Sequence, residues 1–282
     1  MVKLLITASI LLLVFALGAR AAFADATSQF RDLFQPPHRL LRALVSMYVV
    51  VPAVAAGMGL AIDLATPVRV GLLAIAIAPI PPVLPGKQLK VGGSSEHVFG
   101  LLVAVSVSSI VLVPLMAEVL GRVFGRDSSF GPWQVATLIG TTILAPLAAG
   151  MLLRTLAPGW AGPAATWASR LGTVLLAGGV IAVLVASWPV LRSLIVGGAL
   201  IAMLALAAIA LGVGHWLGGP DPSDRSILAI ASAMRHPGVA VAVAMANVPE
   251  EPQLTAAILL YMLVAVIVTS IYVAVARRRL SG

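Results

Sequence analysis

The chain has no cysteine in its 282 residues, which excludes disulfides, thiolate metal sites and cysteine nucleophiles. Charge is also scarce: Asp, Glu, Lys and Arg together make up 10% of the residues, and aromatics 5%. The four histidines, His38, His97, His215 and His236, show no HExxH pattern and no paired metal-ligand spacing, so zinc chemistry has no support. Ser95, Glu96 and His97 are consecutive, and consecutive side chains on a helix do not face one another. With no nucleophile elbow either, a Ser-His-Glu hydrolase is excluded and the chain reads as a non-enzyme with no cofactor.

What is abundant is apolar. Hydrophobic residues are 60% of the chain and the mean hydropathy is +1.08, the composition of a protein embedded in a bilayer. At ~20 apolar residues per crossing there is room for about nine spans and little mass outside the lipid. We therefore expect an all-α integral membrane protein, one transmembrane domain over residues 1–282, whose constant partner is the lipid bilayer. The net charge of +8 does not signal nucleic acid, because the basic residues form no stripe with interleaved aromatics. They sit at span ends and report topology instead.

Arg20, Arg31, Arg39, Arg42, Arg154, Arg170, Arg225 and Arg277 to Arg279 collect on one side, and Lys3, Arg69, Arg122, Arg126 and Arg192 on the other. Positive charge marks the cytoplasmic side, which places the N-terminus out and the C-terminus in, in the inner or plasma membrane. Residues 1–24 read either as a signal peptide ending at AAFAD or as a first span. The charge distribution favours the retained span.

Two spans are interrupted. Residues 222–247 contain Arg235 and His236 in an apolar run, followed at once by Pro237 and Gly238. Pro removes a backbone donor and Gly tolerates unusual backbone angles, so the helix is expected to break there. Residues 67–104 contain PPVLPGKQLKVGGSSEH, with Glu96 and His97 at its end. The segments preceding the breaks repeat: PVRVGLLAIAIA at 67–78 and PSDRSILAIASA at 222–233 match at Pro67/Pro222, Leu73/Leu228, Ala74/Ala229, Ile75/Ile230, Ala76/Ala231 and Ala78/Ala233. Paired, Pro- and Gly-interrupted spans in two halves of a chain point to the binding site of a secondary transporter. Half-helix N-termini expose free amides and a positive dipole end, which suits an anion, and Ser94 and Ser95 are placed to cap the first. Lys87 and Lys90 are expected to face water. The hydroxyls of Ser106, Ser108, Ser109, Thr137, Thr141 and Thr142 are expected to bond helix backbones.

The MYVVVP stretch at 47–52, the GGSSEH stretch at 92–97 and the AMRHPG stretch at 233–238 resemble the bile acid:sodium symporter family. That resemblance implies an inverted-repeat fold in which two broken helices cross near the midplane within a core domain, beside a panel domain. It also implies nine spans with the N-terminus out, and the transport of carboxylates such as bile acids, pantoate or keto acids. The family's sodium ligands are not matched. Glu96-His97 stand where Ser-Asn is usual, and Ala231 with Arg235-His236 stand where Glu and Gln-Asn are usual. Arg has no acceptor atom to offer a cation. On these residues the site is expected to comprise Arg235, His236, Glu96, His97, Ser94, Ser95 and Gly238. Arg235 would stand in for a sodium ion with Glu96 as its counter-charge, attracting the anion or holding the crossing together, or else be purely structural, bound to carbonyls freed by the break; His97 and His236 would bond substrate or relay protons. The function expected is secondary transport of a small organic anion, coupled to protons or uncoupled. A sodium symporter with a modified site and an anion channel are the alternatives.

Overall fold

In hydrocarbon every backbone N–H and C=O must find a partner within the chain, so apolar stretches of this length have the helix as their solution. The computed structural model describes residues 2–20, 37–125, 131–196, 198–249, 251 and 253–280, the side chains of 2, 3, 37, 95, 96, 196, 279 and 280 excepted. Among these residues the elements are helices joined by turns, with no β-strand. Seven stretches are long and apolar enough to cross a membrane, and Leu4–Arg20 and Thr66–Ile77 are shorter apolar helices. All five tryptophans, Trp133, Trp160, Trp167, Trp188 and Trp216, are exposed, as expected of residues that face lipid and its interface.

The order begins with α1 (Val2–Arg20) and a second span made of α2 (Pro37–Val45), a π-helical turn (Ser46–Val50) and α3 (Val51–Ala61). The broken third span follows as α4 (Thr66–Ile77), α5 (Pro85–Gln88) and a 3-10 turn (Leu89–Val91). Next come α6 (Ser95–Val123), then α7 (Pro132–Ile139), a π-helical turn (Gly140–Leu144) and α8 (Ala145–Leu156) as one span. The chain continues with α9 (Pro158–Ala186), the short α10 (Trp188–Val196) and α11 (Ala199–Leu217), and ends with α12 (Pro222–Ala233), α13 (Pro237–Asn247) and α14 (Leu254–Leu280).

Both π turns share one feature, visible in the sequence. Each precedes a proline, Pro52 in the first case and Pro146 in the second. Val51 N bonds to Ser46 O and Ala145 N to Gly140 O, five residues back rather than four. The next donor in that wide register would be the proline nitrogen, which has no hydrogen. The carbonyls of Met47 and Thr141 therefore have no helical partner.

The helices pack in two groups. Helices α1, α8 and α9 lie against one another at backbone distance. A Cβ on Gly18 would collide with the carbonyl of Leu147, and one on Gly150 with the carbonyl of Phe15, so glycine is what lets α1 and α8 touch. Ala16 and Ala19 of α1 and Ala165 and Ala168 of α9 close the small core of this group. The second group holds the main core, with the broken spans at its centre. There α4 packs on α13, and α12 on α5. The leading half of each broken stretch thus lies beside the trailing half of the other.

The second break falls where the sequence places it, between α12 and α13. The first is earlier than the GGSSEH stretch: helix is lost from Ala78 to Leu84, and α6 is continuous from Ser95 through Val123. Pro79, Pro81 and Pro82 explain the break, since none can donate. Left-handed Gly92 (φ 84°) then turns the chain, and Ser94 caps α6 through its Oγ, which accepts from His97 N at 3.2 Å.

Candidate functional site

The site forms where carbonyls released by prolines find other hydrogens. Ala233 O would bond the N–H of residue 237, which is a proline; it accepts the Tyr261 hydroxyl instead, at 3.0 Å. His236 N, the regular partner of Ser232 O, crosses to the other break and donates to Pro79 O at 2.7 Å. Ser232 O then accepts Nε of Arg235 at 3.0 Å. Ala78 O would bond the N–H of residue 82, again a proline; it accepts Nη1 of Arg235 at 3.1 Å. Met47 O, freed by the π turn ahead of Pro52, accepts Nη2 of Arg235 at 3.1 Å. One guanidinium, with no exposed surface, thereby joins the two breaks and the second span. A buried contact between Ser46 Oγ and Ser232 Oγ at 2.7 Å ties the same elements together, and Gln88 Nε2 donates to Ile227 O at 3.0 Å within the crossing.

Arg235 and His236 are therefore at the crossing, as expected. The expected partners of Arg235 are not. Among the described residues no carboxylate lies within ion-pair distance of it. Glu96 lies in the first turn of α6, next to His97, and its side chain is outside the described residues. His97 Nδ1 contacts Asp224 Oδ1 at 2.8 Å, in the first turn of α12, and Arg39 Nε contacts Asp224 Oδ2 at 3.0 Å. From Asp224 to the end of α12 is roughly 14 Å of helix, so this group holds the start of α6 against the start of α12, away from Arg235. Glu96 and His97 follow a helix start, not an unwound turn, and Ser94 serves as that helix's cap. Ser95, whose side chain is also outside the described residues, is its first residue.

His236 has a different setting. Its Nδ1 accepts the N–H of Val239 at 3.4 Å, capping α13, so the ring proton belongs on Nε2. That Nε2 is buried without a hydrogen-bond partner. Gly238 makes room for the ring: a Cβ there would stand 3.1 Å from His236 Cε1. His236 lines a cavity of about 190 Å³ between the two helix groups. Ile6 of α1 and Val180 of α9 form one wall, Pro82, Pro237 and Met262 part of the other, and every lining residue except His236 is apolar.

Several residues of consequence are absent from the sequence-derived set. Asp224, Arg39, Tyr261 and Ser46 act across elements far apart in sequence, and spacing carries no trace of that. The Met47 carbonyl is different, because Pro52 five positions on is a signal that a carbonyl goes free. Lys87 does not simply face water; it is half-buried, and its Nζ donates to Val266 O, Thr269 Oγ1 and Ser270 Oγ of α14 at 3.1, 2.9 and 3.0 Å. Ser109, Thr141 and Thr142 do bond helix carbonyls, at 2.6, 2.7 and 2.6 Å, whereas the Ser106 hydroxyl is buried without a hydrogen-bond partner. Among the described residues no cluster of His, Asp or Glu could hold a metal ion.

A family model described as the Sodium Bile acid symporter family matches residues 7–196, more than half of the chain. The match takes in the first break and stops before the second. No curated protein matches the chain.

Proposed function

The chain belongs to the Sodium Bile acid symporter family, and on that premise we propose that it is a secondary carrier of a small organic anion, with the apolar cavity against the crossing as its solute site. The observation that carries this reading is the buried, unpartnered Nε2–H of His236, the one polar side chain among the residues that line the chamber. A buried donor left unpaired costs about 1–3 kcal/mol, and an oxygen of a bound carboxylate would remove that cost. The apolar walls suit the rest of the solute.

The place of the chamber supports alternating access. One wall belongs to α1 and α9 and the other to the crossing and α14, so displacement of one helix group against the other would open it to each side in turn. The two broken spans supply the inverted-repeat core of the reading, and the three-helix group the panel. The basic first loop and basic tail orient it with the N-terminus out and the C-terminus in. Movement of the anion is either proton-coupled or uncoupled.

Purified carrier in proteoliposomes should show saturable uptake and counterflow of small labelled monocarboxylates. His236→Phe keeps the volume of the ring and removes the donor. A hydrogen bond to a charged group contributes about 1.5–3 kcal/mol, so apparent affinity should fall roughly 10- to 100-fold with thermal stability retained. Wild-type affinity in that variant would defeat the site, and steady ion current without counterflow would replace the carrier by a channel.

A further inference from the structure

Three main-chain carbonyl oxygens converge at the crossing from three separate stretches: Met47 in the second span, Ala78 at the first break and Ser232 at the second. Two of them are released by prolines, Pro52 and Pro82, and the third by the departure of His236 N to Pro79. Converging carbonyl dipoles with no charge of their own attract a cation, as they do in ion-selective pores. Here the chain supplies that cation itself. Among the described residues no carboxylate lies within ion-pair distance of Arg235. A hard metal cation needs oxygen ligands, and the oxygens that converge here are already taken by a group that offers no acceptor in return. The donor set at the crossing does not fit a sodium ion.

We propose that the Arg235 guanidinium is a tethered cation that permanently fills the place of a mobile one, so that the two broken spans are held together without sodium at the crossing. For transport this rests on the reading of the chain as an anion carrier: the carrier would be sodium-independent. For binding it stands by itself.

The test reads stability, not uptake, so an unidentified solute cannot confuse it. Thermal unfolding of the purified full chain is followed by tryptophan fluorescence while sodium chloride replaces choline chloride at constant ionic strength. The wild-type midpoint should not move. Arg235→Ala opens the three carbonyls, lowers the midpoint in choline, and should regain stability saturably with added sodium or dilute guanidinium. At a cation concentration a hundred times the dissociation constant, the folded-to-unfolded ratio should rise about a hundredfold. A saturable, sodium-specific rise in the wild type would overturn the proposal, as would a folded Arg235→Ala protein indifferent to every cation. Should that variant fold in none of them, equilibrium binding of labelled sodium to the wild type decides: no saturable binding supports the tethered cation, and saturable binding refutes it.

Discussion

Tyr261→Phe removes a single oxygen and tests whether carbonyls released by prolines govern the stability of the crossing. The hydroxyl donates to Ala233 O at 3.0 Å, and the helical partner of that carbonyl would be the nitrogen of Pro237. Residue 261 is almost fully buried, so water has little access to replace the lost donor. The ring remains, and the hydrophobic term is nearly unchanged. An orphaned buried acceptor costs about 1–3 kcal/mol in proteins generally, while hydrogen bonds between membrane helices average about 0.6 and reach about 1.7 kcal/mol. The loss should therefore be about 1 kcal/mol, a fall of roughly 2–4 °C in the unfolding midpoint for a chain of this size class. Thermal unfolding in detergent measures it, with Tyr272→Phe as the comparison. The Tyr272 hydroxyl bonds side chains, His215 at 2.7 Å and Ser226 at 3.3 Å, in a half-buried place where other partners are within reach. A Tyr261→Phe protein as stable as the wild type, or a larger loss at Tyr272, would refute the assignment of freed carbonyls to side-chain donors.

Pro52→Ala restores a backbone N–H near Met47 O, which then competes with Arg235; in a double-mutant cycle with Arg235→Ala the two stability losses should fall short of additive by about 0.5 kcal/mol or more. Gly150→Leu forces α1 and α8 apart, and overpacking of this kind costs about 1–3 kcal/mol, read as a lower unfolding midpoint with the isolated substitution Gly57→Ala, which meets open space, as control. Asp224→Asn weakens the contacts to His97 and Arg39; because Arg39 is half exposed, the loss should stay below about 1 kcal/mol, with solute affinity unchanged.

The membrane class, the helical content, the internal repeat and the second break were all determined by the sequence by itself. Each depends on local chemistry: apolar runs leave the backbone no partner but its own helix, and Pro237 cannot donate whatever surrounds it. The two π turns each run into a proline, Pro52 or Pro146, but Pro114 lies within α6 without such a turn, so proline alone does not set them. The partners of the released groups were decided by the tertiary structure. Glu96 and Arg235 look complementary in a chain so poor in charge, but α6 starts beside the first turn of α12, and His97 meets Asp224 there instead. Arg235 is satisfied by carbonyls; that the breaks free some is legible from the prolines, but which of them reach the guanidinium is not, because every residue carries a backbone carbonyl. The chamber beside His236 likewise exists through the meeting of α1 and α9 with a break more than fifty residues further along the chain. Sequence chemistry dictates which backbone groups are left without partners, and three-dimensional packing dictates which side chain reaches them.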